Sequence, residues 1–569
     1  MNKIILSTIV IFTSFLGFTQ NTNYQIKSRP VAFESVETIN DSIVSYKTTT
    51  QNLSFTSKLP YPILFIHGLN SDSNTWNNSI NYLENQYGFT FGGRFDFCLN
   101  GDNNDAVANV NIYPTANADI IPFELANMQN GDYYLVNYKV NVDGSLGNSV
   151  LSNQAAIVKQ GKALQVAVNR VMQLTGKNKV ILVGHSMGGL ASREYIQNNY
   201  NWQPDNLHHV AKLLTLGTPH GGSNASDLAL GFFVGIDTHS EAIRDLKITY
   251  YYSGDQGRYL FGGLEVNDSN NMNEHLWGDD FFNIDVNCNG ATGDNVLGLN
   301  QKSIDNLIDF TNVVGKINGS ATDGVVTETS AKMNNYLTGL QFPAKYFYYT
   351  SIGVENHTAL PNQYYQIMQG LDEPNFNELA YEVATNTEYY GFTTVQENSA
   401  NADNDFYKFS VSDEMITTVT VNEIATSQLT VQLLDNAGNT ITPVTTNTGN
   451  AATLNATLAP GDYFLKIVST APSNTDYQTP YVFSINTTLE TTSFTTNNEF
   501  IIYPNPFNDY IAIENGNFAK GEFYTINGQK VLTFTTETKI ATSQLAKGTY
   551  VLVLTNNNGK VVTKKVVKE

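Results

Sequence analysis

The sequence predicts an α/β domain built on a parallel sheet, followed by two all-β sandwich domains. Up to about residue 375, apolar runs of strand length alternate with amphipathic stretches of helical period, which is typical of a parallel sheet covered on both faces. Beyond that point the chain is rich in Thr, Asn and Val, and apolar residues alternate with polar ones. All 8 histidines, both cysteines and all 3 tryptophans lie before residue 360. The change in composition therefore marks a domain boundary.

Length and charge limit the function classes. The 569 residues exceed what one core organises, so roughly two to four domains are expected. The formal charge of -21 comes from 52 acidic and 31 basic residues. This balance argues against nucleic acid as a partner, because phosphates require basic patches, and against adhesion to anionic lipid by charge alone.

The N-terminal residues 1–19 predict a signal peptide. Lys3 precedes an uncharged apolar run that is short for a membrane span, and Gly17 and Thr19 suit the cleavage site. Residues 20–57 are predicted as an N-terminal extension. No later run is apolar enough over sufficient length, so we expect no transmembrane segment in the mature protein.

The predicted strands of the α/β part are continuous apolar runs, and its helices carry apolar residues at helical spacing. Continuous runs of this kind indicate strands that are buried on both faces. In chain order the elements are strand 61–66, strand 133–138, helix 154–174, strand 180–183, helix 190–198, strand 210–216 and strand 346–352.

Ser186 is the candidate nucleophile. It stands between Gly184 and Gly188 in the pattern G-x-S-x-G, after an apolar strand and before a helix-forming run. A serine on such a sharp strand-to-helix turn has strained backbone geometry, and the glycines leave room for neighbouring chains. The first amides of the following helix point toward developing negative charge. The alternative, a purely structural turn, is disfavoured by the strand and the helix on either side.

Two backbone amides, those of Leu69 and Met187, are predicted to form the oxyanion hole. Leu69 ends the motif F-I-H-G-L after the first apolar strand, and Met187 follows the nucleophile. His67 lies in the same motif. We interpret it as a buried histidine that holds its loop rather than a group that transfers protons.

His357 is predicted as the general base and Asp323 as the acid that orients it. Only His357 follows the best acid candidate in the chain, and it comes after an apolar strand. Asp323 lies in the turn A-T-D-G-V-V. The resulting chain order of Ser, Asp and His is that of the α/β-hydrolase arrangement. The rival acids are Asp294, in a Gly- and Asn-rich loop, and Asp309, in a helix-like stretch.

These motifs together resemble those of bacterial triacylglycerol lipases with an α/β-hydrolase fold. The resemblance implies a catalytic domain over residues 58–375 that cleaves an ester or lipid through an acyl-enzyme and requires no cofactor. Calcium-dependent members hold calcium with an aspartate two residues after the catalytic histidine. Ala359 stands at that position, although Gln363 is retained. The matching pieces are I-H-G-L at 66–69, G-H-S-M-G-G at 184–189, L-G-T-P-H-G-G-S at 216–223, D-G-V-V at 323–326, N-H at 356–357 and N-Q at 362–363.

A second oxygen-rich loop suggests a calcium site. Its alternating Asp and Asn residues, with glycine at the sixth position, are typical of an EF-hand loop, but Val296 stands where that loop has its bidentate glutamate. Bound calcium and ordinary Asn/Asp/Gly turns both stay open. The candidate ligands are Asp285, Asn287, Asn289 and Asp294.

The 2 cysteines, Cys98 and Cys288, permit one disulfide in an oxidising compartment. Two separate buried thiols are the alternative, because spacing does not decide between them.

Residues 219–308 form an unusually long connection of about 90 residues, which suggests a cap or lid over the pocket. A lid with an apolar inner face would suit acyl chains. The alternative is a rigid subdomain that only narrows the entrance.

The rear of the chain resembles two known modules. Residues 376–489 are similar to the bacterial pre-peptidase C-terminal domain, and residues 490–499 are predicted as a linker. Residues 500–569 resemble the type IX secretion C-terminal sorting domain. This implies the type IX secretion machinery as a partner and a final location outside the cell or on its outer surface. The motifs that carry these resemblances are D-F-Y-K-F at 405–409, G-D-Y-F at 461–464, I-Y-P-N-P at 502–506 and L-A-K-G-T-Y-V-L-V at 545–553.

Two further functions stay open. The same three residues could act on phospholipids, polyesters or amides, or the chain could be a surface binding protein with a vestigial hydrolase fold. The complete set of nucleophile, base, acid and oxyanion donors disfavours the second.

Overall fold

The part of the chain that this computed structural model describes comprises residues 27–28 and most of residues 57–569. The predicted signal peptide lies outside the described residues. Internal gaps in the described part are residues 100–119, 125–127, 142–143, 148–149, 199–201, 204, 225–239, 250, 254–257, 261–271, 279–285, 288–294, 318, 338–343, 352–355, 396–401, 423–428, 443, 449–450, 474, 490–499, 515–517, 558 and 560.

The first part contains a sheet of nine strands. Its order is β1-β4-β3-β5-β2-β6-β7-β10-β11, and every described pairing in it is parallel except that of β3 with β4. A small antiparallel hairpin, β8 with β9, lies in the predicted cap. The strands are β1 Lys27–Ser28, β2 Ile63–Ile66, β3 Phe91–Leu99, β4 Ile120–Glu124, β5 Tyr133–Asn137, β6 Val180–His185, β7 Val210–Leu216, β8 Tyr251–Ser253, β9 Arg258–Leu260, β10 Asp309–Ile317 and β11 Ala344–Ser351.

Helices connect these strands. The described α-helices are α1 Asn77–Tyr87, α2 Val150–Asn153, α3 Ile157–Thr175, α4 Met187–Gln197, α5 Glu241–Leu246, α6 Glu274–Trp277, α7 Glu328–Ala331, α8 Asn356–Ala359 and α9 Tyr364–Gly370. The described short 3-10 helices are Ser73–Trp76, Leu299–Gln301, Met333–Asn335, Leu360–Asn362, Asn377–Leu379 and Asp476–Gln478.

The apolar patterns explain these elements. Every residue of β2, β6 and β7 is buried, as expected for central strands covered by helices on both faces. In α3 the buried face includes Leu164, Val168 and Val171, and the helix ends at Gly176 in the left-handed conformation with φ 70°. The sheet neighbours β5 and β6 flank β2, and the carboxyl ends of these strands define the crevice in which such sheets place their sites.

Residues 381–489 form a β-sandwich of two five-stranded sheets. One has the order β12-β14-β20-β16-β17, and the other has the order β13-β21-β15-β19-β18. Alternate residues of β14 face the core, as the period-two pattern predicted. The strands are β12 Tyr381–Glu382, β13 Glu388–Gly391, β14 Asp403–Val411, β15 Met415–Asn422, β16 Leu429–Asp435, β17 Thr440–Ile441, β18 Val444–Thr448, β19 Ala451–Leu458, β20 Gly461–Ser469 and β21 Tyr481–Leu489.

This sandwich shares its core with the parallel sheet. One continuous apolar cluster runs from Phe65 of β2 to Leu465 of β20. Tyr61 and Tyr381 pack edge to face with ring centroids 5.4 Å apart, and the Tyr87 hydroxyl donates to the Tyr477 carbonyl at 2.6 Å. Residues up to Thr488 accordingly belong to one compact unit.

Residues from Leu489 onward form a second compact unit with its own apolar core. It consists of a three-stranded sheet, β22-β23-β26, and a four-stranded sheet, β25-β24-β27-β28. The strands are β22 Ile501–Tyr503, β23 Tyr510–Glu514, β24 Phe518–Thr525, β25 Lys530–Phe534, β26 Lys539–Ala541, β27 Gly548–Asn556 and β28 Val561–Lys568.

One local prediction is wrong. The stretch around Asp309 is not helical, because Asp309 begins β10, where Phe310, Val313 and Val314 are buried between neighbouring strands. Among the described helices, none has both the length and the apolar character needed to span a lipid bilayer.

Candidate active site

Ser186 lies on a strained turn between β6 and α4. Its backbone has φ 51° and ψ -123°, a region that non-glycine residues rarely adopt. The Ser186 amide donates to the carbonyl of Leu216 at 2.8 Å, so the turn is tied to the end of β7. This geometry presents the hydroxyl at the carboxyl end of the central strand.

Two glycines allow this close packing. A Cβ atom on Gly188 would lie 2.5 Å from the carbonyl oxygen of Ile66, at the end of β2. Gly217 has φ 54°, and a Cβ atom there would lie 3.1 Å from Nδ1 of His357. The G-x-S-x-G and L-G-T-P motifs thus reflect close approach around the same point.

The structure brings the three predicted side chains together. Nε2 of His357 lies 2.9 Å from Oγ of Ser186, and Nδ1 of His357 lies 2.7 Å from Oδ2 of Asp323. All three side chains are buried, with 7% of Ser186 and 6% of His357 exposed. Because a carboxylate accepts, Nδ1 of His357 donates to Asp323. In the neutral form of the ring, Nε2 of His357 then carries the lone pair that faces the serine hydroxyl.

The Asp323 carboxylate is fixed from both sides. Its Oδ1 accepts from the amides of Val325 and Val326 at 2.9 and 2.7 Å, while Oδ2 faces the imidazole. The His357 amide also donates to the Asp323 carbonyl at 3.2 Å. The rival acid Asp309 instead pairs with Lys212 at 2.6 Å. Asp294 lies outside the described residues.

His67 has the structural role that the sequence suggested. Its Nδ1 donates to the Gly68 carbonyl at 2.9 Å, and its Nε2 accepts from the Tyr138 amide at 2.9 Å. Burial lowers the pKa of His67 to about 4. The ring is therefore neutral at physiological pH, and both of its nitrogens are engaged with backbone.

His185 has a role that we did not predict. Its Nε2 lies 2.9 Å from the carbonyl oxygen of His357, so it donates to that backbone group. Burial holds the pKa of His185 well below its usual value, which keeps the ring uncharged. The residue before the nucleophile thus anchors the segment that carries the base. Its position in the G-H-S-M-G motif was the available signal.

The loop after β2, residues 68–71, lies against the nucleophile and is called the oxyanion loop below. A Cβ atom on Gly68 would lie 2.9 Å from the Cβ of Ser186. The predicted donors Leu69 and Met187 have their side chains in one apolar cluster. Their amides come from the start of this loop and from the first residue of α4. The use of these amides as oxyanion donors stays a prediction.

Helix α5, which lies in the predicted cap, is joined to α3 by buried carboxyl groups. Glu241 of α5 pairs with Lys159 of α3 at 2.8 Å, and its Oε2 accepts from the Ala156 amide at 2.8 Å. Oδ2 of Asp245 accepts from the Ile157 amide at 2.8 Å. Burial raises the pKa of Glu241 to about 7. These carboxylates satisfy amides at the N-terminus of α3, where the helix dipole favours negative charge.

Most of the predicted calcium loop and one of the two cysteines lie outside the described residues. Asn287 is described, but Asp285, Asn289 and Asp294 are not, and Cys98 is buried at the end of β3 while Cys288 is not described. The calcium site and the disulfide stay predictions. Elsewhere in the described part, buried carboxylates of Asp372, Asp403 and Asp405 lie within 4.8 Å of one another and could hold a metal ion. None of them belongs to the row formed by Ser186, His357 and Asp323.

Two family models match the chain. Residues 60–244 match the PGAP1-like alpha/beta domain, and residues 501–569 match the secretion system C-terminal sorting domain. Together with the sheet topology, the first match confirms an α/β-hydrolase fold followed by all-β sheets. The second confirms the type IX sorting domain, which indicates secretion and attachment to the cell surface.

Three individual proteins are similar to parts of this chain. A triacylglycerol lipase from Pseudarthrobacter phenanthrenivorans is 41% identical over 68 residues, or 12% of this chain. The aligned residues span 19% of that relative's length. The Bacillus licheniformis lipase BlEst2 in its propeptide form is 16% identical, with a TM-score of 0.25 over 89% of this chain and 93% of its own. The pre-peptidase C-terminal domain of a Bacillus anthracis collagenase is 22% identical, with a TM-score of 0.16 over 20% of this chain and 99% of its own.

Proposed function

We propose that this chain is a secreted serine hydrolase that cleaves carboxylic esters through an acyl-enzyme on Ser186. The observation that carries the proposal is the hydrogen-bonded row from Ser186 through His357 to Asp323, with the serine on a strained strand-to-helix turn. A strained, buried serine that faces an imidazole held by a carboxylate is the arrangement that nucleophilic catalysis requires.

Each group has a defined task in the proposed reaction. Ser186 Oγ attacks the ester carbonyl while Nε2 of His357 takes its proton, and Asp323 stabilises the imidazolium that forms. The amides of Leu69 and Met187 stabilise the tetrahedral oxyanion. His357 then returns the proton to the leaving alcohol, and a water molecule, activated in the same way, releases the acid.

Lipid-like esters are the substrate class that we propose first. The support is the 41% identical segment of the triacylglycerol lipase, together with the long connection between β7 and β10 that the sequence predicts to cover the pocket. A panel of short and long p-nitrophenyl esters, triacylglycerols, phospholipids, a polyester film and an anilide checks this choice. Highest kcat/KM on long-chain esters supports it, and a preference for the anilide or the polymer contradicts it.

Ser186→Ala tests the reaction itself. We expect the variant to lose hydrolysis of p-nitrophenyl butyrate by about 10⁴-fold or more, with unchanged thermal unfolding, because nothing replaces the nucleophile. A fluorophosphonate probe should label the wild type at Ser186 and leave the variant unlabelled. Ser410→Ala, an exposed serine of β14, is the control and should keep full activity. Wild-type rates in purified Ser186→Ala would refute the proposal.

A further inference from the structure

We infer that Asn153 is a positioning residue that holds the oxyanion loop in its working conformation. The inference rests on the proposed function, since it concerns the loop that supplies the Leu69 amide to the reaction. Asn153 ends α2, far from the loop in sequence, and nothing in its local sequence identifies it as part of the site.

Both ends of the Asn153 carboxamide contact this loop. Oδ1 accepts from the Asn70 amide, and Nδ2 donates to the Ser71 carbonyl at 3.0 Å. Only 2% of Asn153 is exposed. One buried side chain therefore fixes the two residues that directly follow Leu69.

The loop needs such a hold because its own conformation is unfavourable. Asn70 has φ 54°, in the left-handed region, which costs a non-glycine residue on the order of 1 kcal/mol. Within the loop, the Ser71 amide reaches the Gly68 carbonyl only at 3.4 Å. Without Asn153, relaxation of Asn70 to an ordinary φ would move the peptide that follows Leu69 and change the direction of the Leu69 amide.

Asn153 is itself held rigidly. The neighbouring Ser152 accepts from the Leu99 amide at 2.8 Å and donates to the Tyr138 carbonyl at 2.6 Å, so α2 is tied to β3 and to the end of β5. On the other side, Gln160 reaches the second predicted donor residue, because its Nε2 lies 3.2 Å from Sδ of Met187. The segment 152–160 thus contacts Met187 and the two residues that follow Leu69.

Replacement of Asn153 should weaken transition-state stabilisation while substrate binding is kept. A displacement of about 1 Å at such a donor costs on the order of 10²-fold in rate, and complete loss of one donor costs about 10²- to 10³-fold. We expect Asn153→Ala to lower kcat by 10- to 100-fold with KM within about twofold of wild type. Asn153→Asp keeps an acceptor for the Asn70 amide but loses the donor to Ser71, so part of the lost rate should return.

Asn312→Ala is the matched control. Asn312 is also a fully buried carboxamide whose Nδ2 donates to Thr215 Oγ1 at 2.7 Å and lies 3.4 Å from His220 Nε2, and whose Oδ1 accepts from the Met333 amide at 3.3 Å. Its loss should lower the melting temperature about as much as the loss of Asn153. The substitution should leave kcat near wild type, because Asn312 contacts neither the oxyanion loop nor the side chains of Ser186, His357 and Asp323.

The experiment compares the full chain with these variants by kinetics on p-nitrophenyl butyrate, by affinity for an alkyl boronic acid and by thermal unfolding. The boronate forms a tetrahedral adduct on Ser186, so its affinity should fall by the same factor as kcat in Asn153→Ala. An unchanged kcat, a loss confined to KM, or equal kcat losses in Asn153→Ala and Asn312→Ala would overturn the inference. Activity in Ser186→Ala would instead refute the proposed function, so the two failures are distinguishable.

Discussion

At the scale of single residues, the site depends on how three groups hold one imidazole. Asp323 accepts from Nδ1 of His357, His185 donates to the His357 carbonyl, and Ser186 faces Nε2. Asp323 and Ser186 contact the imidazole of His357, whereas His185 contacts its backbone carbonyl. Together they fix the tautomer and the position of the ring before any substrate arrives.

Asp323→Asn should remove the correct tautomer while it preserves the shape of the site. The amide can present its NH2 group to Nδ1, which then accepts, so Nε2 carries the proton and no longer takes one from Ser186. We expect kcat to fall by about 10⁴-fold with little change in melting temperature. Ester hydrolysis and circular dichroism melting of the purified variant check this. A loss below tenfold would mean that Asp323 does not orient the base.

His185→Phe should affect position more than chemistry. The ring volume is kept, but the hydrogen bond to the His357 carbonyl is lost, so the base is held less firmly. We expect kcat to fall by about tenfold, far less than in Asp323→Asn, with the apparent pKa of the pH–rate profile unchanged. A shift of that pKa by a full unit would contradict this role, because it would indicate a charge effect.

The reacting residues could be predicted from local motifs and from chain order. The residues that hold them in place could not. Ser186 and Asp323 stand in recognisable turns after a strand, and His357 is the one histidine that follows Asp323 in the chain. Asn153 lies in an unremarkable helix end, and its role arises only because α2 packs beside the oxyanion loop. His185 sits in the known motif, yet its partner is a carbonyl 172 positions away in the chain. Contacts of this kind depend on tertiary packing, which local patterns do not encode.

At the scale of elements, a buried acid links α5, in the predicted cap, to α3. Burial raises the pKa of Glu241 to about 7, above its ordinary value of 4.5, so the folded state binds this proton more tightly than the unfolded state. The contribution of Glu241 to stability is therefore fully present below pH 4.5. It is lost as the pH rises toward 7. The free energy that Glu241 contributes to folding thus decreases as the proton leaves, although the ionised acid pairs with Lys159.

Glu241→Gln should flatten this dependence, because glutamine imitates the protonated acid and its oxygen can accept from both the Ala156 amide and Lys159, as Oε2 of Glu241 does. We expect the melting temperatures of wild type and variant to be similar near pH 4.5. With rising pH the wild type should then fall relative to the variant up to about pH 7. Differential scanning fluorimetry from pH 4 to 8 measures both curves, and parallel curves over that range would contradict the assignment. The quantity to compare is the difference in melting temperature between wild type and variant, because other groups also titrate between pH 4 and 8.

At the scale of the whole molecule, composition predicted the boundary near residue 375 but not the packing across it. The amino-acid composition changes there. Tyr61 and Tyr381 lie on opposite sides of this boundary, yet they pack edge to face in one continuous apolar cluster. Composition indicates which segments favour strands, but it does not indicate which element packs against the apolar face of a sheet. The sandwich is therefore part of the catalytic unit, whereas residues from Leu489 onward have a core of their own.

Two truncated chains test separately whether the catalytic fold needs the sandwich and whether it needs the second unit. A chain that ends at residue 488 should keep wild-type kcat and melting temperature, because it removes only the unit with a separate core. A chain that ends at residue 375 removes about half of the shared cluster and uncovers Tyr61 and Tyr87, which pack against the sandwich, so we expect aggregation or a melting temperature lowered by more than about 10 °C. Size-exclusion chromatography, thermal unfolding and ester hydrolysis of the two chains are the measurements.

If the shorter chain is monomeric and fully active, the sandwich is dispensable to the catalytic fold. If the longer one unfolds, the second unit supports the first. In either outcome the division of the molecule at residue 488 would have to be redrawn.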